Sequence, residues 1–356
     1  MTVPLPRSVV DAIPGYKAGR AAEHDELKLS SNENPFPPLP GVVERAAAEL
    51  ARVNRYPDAG VTVLHDALAA HLDRPTDAFA SGTGSVAVLF SLLDAYCGPG
   101  DEVVTAWRSF EAYPIGVTVT GATHVRVPLR PDATHDLDAM VAAVTDRTKV
   151  VVVCTPNNPT GPVVGHDALE RFVSALPSSV LVVVDEAYVE FVRDLDAARG
   201  LDLQARFDNV VVLRTFSKAY GLAGLRVGFL VGHPDVAAAV RKATPPFSVT
   251  DVAQAAAVAS LAAGDELAAR VEEVVKGRAL LLDGLRAQGW TVPDSEANFV
   301  WLPSDSGPDL ADAFWPVSTR PFPGAVADGG GVRISVGTTS ANERFLDAAA
   351  RHLTGR

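Results

Sequence analysis

Cysteine is scarce: Cys97 and Cys154 are the two in a chain of 356 residues. Two thiols make neither a disulfide framework nor a four-ligand zinc site, and Cys154, ending a valine run, reads as a buried structural thiol. The eight histidines form no ligand cluster, so a metal hydrolase is unsupported. Positive charge is in deficit, with 31 Lys and Arg against 43 Asp and Glu and a net charge of −12. A general nucleic-acid or polyanion binder needs a basic face to neutralise phosphate, so no nucleic-acid partner is expected, although a few converging arginines can hold a small anion. No apolar run reaches the length of a membrane-spanning helix. The first residues, broken by Pro4, Pro6, Asp11 and Pro14, contain no signal-peptide core. The expectation is a cytoplasmic protein without a membrane partner. Internal repeats and low-complexity tracts are missing as well.

What is present is a globular chain, 47% hydrophobic and 21% charged, long enough for two domains. After a Pro- and Gly-punctuated arm (1–28), short apolar runs alternate with amphipathic stretches. The runs are Ala78–Ser81, Glu102–Ala106, His124–Pro128, Lys149–Thr155, Val180–Glu186, Asn209–Thr215 and Arg226–Gly232. Unbroken valine stretches such as Val150–Cys154 suit strands buried on both faces of a mostly parallel sheet. Ser85–Tyr96, Asp138–Val144 and His166–Ala175 read as covering helices. The predicted fold is α/β, a mostly parallel, seven-stranded large domain over 29–243. Beyond Pro245-Pro246 the pattern changes to a long Ala-rich helical segment, about Asp251 to Gln288, followed by shorter strand signals at Phe299–Leu302 and Val332–Val336. That predicts a smaller α+β C-terminal domain over 244–356.

The chemistry gathers at strand ends. In Arg214-Thr-Phe-Ser-Lys-Ala-Tyr-Gly-Leu-Ala-Gly-Leu-Arg226, Lys218 follows a buried strand amid small residues. Most lysines are solvated surface residues, but a desolvated one near positive charge has a lowered pKa and serves as an amine nucleophile, as imine formation with an aldehyde cofactor requires. Ser217 and Arg226 can neutralise a cofactor phosphate. Asp185, directly after Val182-Val-Val184, lies at the carboxyl edge of the sheet, where open α/β sheets bind ligands. It either caps the next helix or supplies the anion that keeps the pyridine nitrogen of pyridoxal phosphate protonated. Tyr188 is within reach of the same ring, whereas Glu186 should point the other way. Asn158, in Thr155-Pro-Asn-Asn-Pro-Thr-Gly161, sits in a turn that can offer a hydrogen bond to the cofactor's phenolic oxygen. Ser81-Gly-Thr-Gly-Ser-Val-Ala87 is a glycine-rich turn opening a helix, a good phosphate site. It also fits a dinucleotide fingerprint, but the acid that fold needs at the end of the second strand is replaced by Thr105-Ala106-Trp107.

These residues resemble the class I/II aminotransferases of PLP fold type I, and most closely the histidinol-phosphate aminotransferases and the related aromatic (phenylalanine) aminotransferases. The similarity spans nearly the whole chain. It includes Leu29-Ser-Ser-Asn-Glu-Asn-Pro35, Asn54-Arg-Tyr-Pro-Asp58, Pro156–Gly161, Val184–Tyr188, Arg214–Gly228, Ala297-Asn-Phe-Val300 and Arg333-Ile-Ser-Val-Gly337. The resemblance implies that Lys218 carries the cofactor and then moves the proton between Cα and C4′. Asp185 is implied to pair with the pyridinium, and Asn158 and Tyr188 to bind the phenolic oxygen. Thr83, Gly84, Ser85, Ser217 and Arg226 are implied to hold the phosphate, and Phe110 to stack on the ring. Tyr56 is implied to reach the neighbouring subunit's cofactor, hence a homodimer. Arg333 is implied to take the substrate carboxylate, with Tyr16, Asn32, Asn298 and Arg320 lining the substrate side.

The family often has Ser/Ala-Asp/Asn-Glu after the first phosphate-loop glycine, where this chain has Thr83-Gly84-Ser85. Backbone N–H contacts are therefore more secure there than side-chain ones. Phe110 replaces a tyrosine, and Trp107-Arg-Ser-Phe110 is closest to the aromatic aminotransferases. The expected reaction is transfer of an amino group from phenylalanine or tyrosine to 2-oxoglutarate, with Phe110, Tyr16 and Trp107 as an aromatic-accepting wall. A histidinol-phosphate aminotransferase is the alternative, and a PLP decarboxylase a more distant one. A PLP-like transcription regulator lacks its added DNA-binding module here.

Overall fold

A computed structural model of the protein describes residues 4–11, 13 and 22–355. The strands among the described residues, in chain order, are β1 (Phe79–Gly82), β2 (Glu102–Trp107), β3 (Thr123–Pro128), β4 (Thr148–Cys154), β5 (Leu181–Asp185), β6 (Val210–Thr215), β7 (Gly228–Val231), β8 (Phe299–Pro303), β9 (Arg320–Phe322) and β10 (Gly331–Ser335). Seven form one sheet in the order β1-β7-β6-β5-β4-β2-β3. β7 runs antiparallel to both its neighbours, and the other pairs are parallel. The valine runs are central because side chains alternate between the faces and both faces are covered. Val150, Val152, Leu181, Val183 and Val211 enter one apolar cluster, while Val151, Val153, Val182, Val184 and Val210 enter the other. The helices Ser85–Tyr96 and His166–Ala175 contribute Val88, Leu89 and Leu92 to the first and Leu169, Phe172 and Val173 to the second.

Three details go beyond or differ from the sequence pattern. The long C-terminal helical segment is two helices, Asp251–Ala262 and Gly264–Ala287, parted at Ala263. Gly264 is a poor helix interior residue, and Asp265 and Glu266 favour a helix N-terminus, so the periodic pattern concealed a boundary. The strand expected from Arg226 begins at Gly228, because Arg226 adopts a left-handed conformation with φ of 55°. The small sheet has a third, unforeseen strand: its order is β8-β10-β9, all antiparallel. β9 carries Pro321, which cannot donate to a ladder and hides the strand signal; the edge position tolerates it.

The chain around Lys28 joins this smaller sheet. Leu29 N–H donates to the Ser318 carbonyl (2.8 Å), Ser318 N–H donates to Leu27 (2.9 Å), and Ser335 N–H donates to Leu29 (2.8 Å). Leu27 and Leu29 are buried. Residues 30–34 are thereby carried to the turns that follow β5 and β6, where Asn32 meets the Tyr188 hydroxyl and Asn34 the Ala219 carbonyl, while Ser30 accepts from Arg333 of β10. No helix among the described residues is long and apolar enough to cross a membrane.

Candidate active site

A cavity of about 340 Å³ opens between the carboxyl ends of the large sheet and the strands β9 and β10. The turns that follow β1, β2, β4, β5 and β6 contribute its lining. After β6, Thr215 accepts from Ser217 N–H (3.1 Å) and contacts its hydroxyl (3.0 Å), and Asn34 donates to the carbonyl of Ala219 (2.9 Å), which fixes the loop bearing Lys218. Lys218 Nζ donates to the Ser31 carbonyl at 3.3 Å and lies 5.8 Å from the centre of the Tyr188 ring. Burial, helped by the nearby charges of Arg333 and Arg226, brings its pKa down to about 7. A substantial fraction of the amine is therefore neutral near pH 7.

Asp185 ends β5 and is buried. Tyr113 Oη donates to its Oδ2 at 2.6 Å, and Ala187 N–H donates to its Oδ1 at 3.2 Å. Burial lifts its pKa to about 6 against the lowering effect of those bonds. A buried carboxylate of this kind calls for a cationic partner. Glu186 turns to the opposite side, where Arg214 holds it (2.9 and 2.7 Å). The Tyr188 hydroxyl accepts from Asn32 Nδ2 (3.0 Å), and burial raises its phenol above the usual range.

At the end of β4, Asn157 is held by Ser109 (2.7 Å) and by the Arg108 carbonyl (3.1 Å). That leaves Asn158 facing the cavity, its Oδ1 accepting from Arg333 Nη1 at 2.6 Å. At the end of β1, the helix Ser85–Tyr96 starts just past Gly84, whose φ is 88°. A Cβ on Gly84 would stand 2.5 Å from Arg226 Nη2. Arg226 donates to the carbonyls of Ala223 (2.9 Å) and Thr83 (3.3 Å) and reaches Ser217 Oγ at 3.5 Å. A helix N-terminus, a hydroxyl and a guanidinium thus enclose a spot without room for a side chain, a cradle for a dianion such as a phosphate ester.

The opposite wall comes from the small sheet. Arg333 on β10 and Arg320 on β9 are register partners. Arg333 donates to the Ser30 carbonyl (2.7 Å), and Arg320 pairs with Glu111 (2.8 Å). Phe110 lines the cavity and meets Tyr113 edge-on, with centroids 5.6 Å apart.

The cavity therefore collects Ser85, Phe110, Asn158, Asp185, Tyr188, Ser217, Lys218, Arg226, Asn32, Arg320 and Arg333. Gly84 and the Thr83 carbonyl stand behind Arg226. Asn298 lies one layer back, donating to the Asn32 carbonyl (3.1 Å). Tyr56 is elsewhere, 81% exposed and stacked on Phe247 at 4.7 Å. Tyr16 falls outside the described residues. Trp107 departs from expectation. It does not line this cavity: it lies edge-on to His124 (5.8 Å) and under Arg126 (4.4 Å), both on the neighbouring strand β3. Phe322 supplies the second aromatic surface instead. Tyr113, Glu111, Ser30, Ser31 and Phe322 escaped sequence reasoning. Ser30 and Ser31 lie in the Leu29–Pro35 motif without a role of their own, and Tyr113 opens the helix Ala112–Thr120 three residues after Phe110.

The match to known proteins follows the same lines. The model of the family "Aminotransferase class I and II" matches residues 24–348. An aromatic amino acid aminotransferase of Streptomyces coelicolor is 53% identical over 351 residues, covering 97% of this chain and 96% of that protein. One of Thermobifida fusca is 51% identical over 352 residues, covering 97% and 96%. A histidinol-phosphate aminotransferase from Sinorhizobium meliloti, solved in complex with pyridoxal-5'-phosphate, superposes with a TM-score of 0.90 at 26% identity, covering 99% of each chain. An amine of lowered pKa, a buried carboxylate and a phosphate cradle thus meet in a fold shared along its whole length with such enzymes, and the chain belongs to the class I and II aminotransferases, which depend on pyridoxal phosphate.

Proposed function

We propose that this aminotransferase moves the amino group of an aromatic amino acid, phenylalanine or tyrosine, to 2-oxoglutarate. The observation that carries the reading is that its relatives at about half identity are aromatic amino acid aminotransferases along their whole length. Phe110 and Phe322 beside the cavity support it.

The residues fit the cofactor. Gly84, Ser85, Ser217 and Arg226 would hold the phosphate, the backbone of Thr83 supporting the arginine. Asp185 would pair with the ring nitrogen, Asn158 and Tyr188 would face the phenolic oxygen, and Phe110 would lie against the ring. Bound pyridoxal phosphate supplies an aldehyde carbon that exchanges amino groups and a ring that withdraws electrons. Lys218, neutral in part at pH 7, has the free amine that would hold the group, and it can carry a proton to and from the substrate Cα. Asp185 would keep a proton at the ring nitrogen, and the Tyr113 hydrogen bond favours the charged form of Asp185. Arg333 receives the α-carboxylate through a bidentate fork. Asn32, backed by Asn298, shapes the substrate side with Arg320, and Tyr16 belongs to the same set.

We read the chain as an arm (1–28), a cofactor-binding domain (29–243) and a small domain (244–356), acting in the cytoplasm as a homodimer in which Tyr56 reaches across to the partner's cofactor. The deciding measurement is kcat/KM for phenylalanine and for histidinol phosphate, each with 2-oxoglutarate, on one preparation. Phenylalanine should be favoured. A ratio strongly favouring histidinol phosphate would overturn the aromatic reading and promote the alternative.

A further inference from the structure

We propose that Glu111 is a specificity-determining residue: its ion pair with Arg320 masks that arginine while an aromatic donor is bound and is exchanged for the distal carboxylate of the acceptor. The inference rests on the reading that one site serves both an aromatic amino acid and 2-oxoglutarate. Those ligands share an α-carboxylate and differ at the other end, a ring in one and a carboxylate in the other. Arg333 is engaged by Asn158 and the Ser30 carbonyl, whereas Arg320, its register partner on β9, pairs directly with Glu111 at 2.8 Å in the cavity wall. An unmasked guanidinium next to a bound ring would be a cation stripped of water, which is costly.

Glu111 immediately precedes the helix Ala112–Thr120, a position from which a side chain could cap the helix, but it makes no capping bond and reaches Arg320 instead. Phe110 and Phe322 flank the two members in sequence, so the charged pair and the aromatic surface are built as one unit. The exposure of the pair, 11% for the Arg320 side chain and 29% for that of Glu111, sets its strength. It is sheltered enough to cancel the charge towards a ring, yet open enough to be exchanged for a ligand carboxylate, as a fully buried pair would not be.

The test is calorimetric titration of the holoenzyme with glutarate, a dicarboxylate, and with 3-phenylpropionate, an aromatic monocarboxylate. Wild type, Glu111→Gln and Glu111→Asp are compared, with melting temperatures as a check on folding. Glu111→Gln should bind glutarate roughly tenfold more tightly and 3-phenylpropionate a few-fold more weakly, in line with the loss of a competing charge. Glu111→Asp should return part of the way. In an Arg320→Gln background the Glu111 change should have no further effect on glutarate, which keeps the idea testable if the single variant folds poorly. Unchanged or weaker glutarate binding by a folded Glu111→Gln, with wild type binding both ligands, would overturn the role of Glu111 alone. A wild type that neither binds 3-phenylpropionate nor turns over phenylalanine would remove the aromatic reading and this inference with it.

Discussion

Lys218 and Asp185 are displaced from their ordinary pKa values in opposite directions, to about 7 and about 6, and burial is the first cause of both. Loss of solvation disfavours each charged form and so draws an acid and a base towards the same pH range. Tyr113 works against burial at Asp185: its hydroxyl bond at 2.6 Å favours the carboxylate. Tyr113→Phe should therefore raise the Asp185 pKa further, by under one unit for a bond worth about 1 kcal/mol. The acid limb of the kcat/KM profile should move to higher pH, and kcat at neutrality should fall roughly fivefold. A pH profile coincident with wild type would show that Tyr113 does not tune Asp185. Asp185 and Lys218 were legible as residues at strand ends; Tyr113, 72 positions from its partner, was not.

Behind the site, β5 and β6 are tied by a buried ion pair. Arg214 meets Glu186 at 2.7 Å, with side-chain exposures of 17% and 1%. Glu190 stands near the same arginine, and its Oε2 is closed off from solvent without a hydrogen-bond partner. Burial pushes the Glu190 pKa from 4.5 up to about 7 despite the attraction of Arg214. The folded protein thus holds the Glu190 proton between pH 4.5 and 7, where the unfolded chain has released it, so this group's contribution to stability falls as pH rises through that window. Arg214→Ala leaves the buried Glu186 and the enclosed Glu190 carboxyl oxygen uncompensated and should cost about 3–5 kcal/mol in urea unfolding at pH 8. The loss should shrink at pH 5, where Glu190 takes up a proton, and Glu186→Gln with Glu190→Gln should recover much of it. An equal loss at both pH values would place the defect in packing instead. At this scale the valine strands were readable from composition, but the break at Ala263 and the proline-bearing β9 were not, since neither disturbs the local apolar pattern.

Across the whole molecule, the exposed stack of Tyr56 on Phe247, 81% and 42% accessible, is where a second subunit is expected. Mixing a Lys218→Ala enzyme with a Tyr56→Ala enzyme should restore activity through hybrid dimers, each with one intact site. The measurement is turnover after subunit exchange, with exchange itself followed by a label on one variant. Confirmed exchange without recovery would count against a shared site. The net charge of −12 bears on solubility and association rather than on the site, where Lys218, Arg226, Arg320 and Arg333 meet Asp185 and Glu111.

The sequence by itself determined the large sheet and the residues that emerge from its strand ends. Alternation and valine content specify a strand locally, and the turn chemistry of Gly84, Asn158 and Ser217 is written within a few residues of each strand. It also carried the family, through motifs that spread over nearly the whole length. Only the tertiary structure decided which side chains compensate one another. Tyr113 with Asp185, Glu111 with Arg320, Asn32 with Tyr188 and Ser335, and Arg333 with Asn158 span separations from 72 to 303 residues. It likewise turned Trp107 away and brought Phe322 in. Such pairings depend on the packing of two sheets, and no local period or propensity encodes the distance between residues that meet only after both have folded.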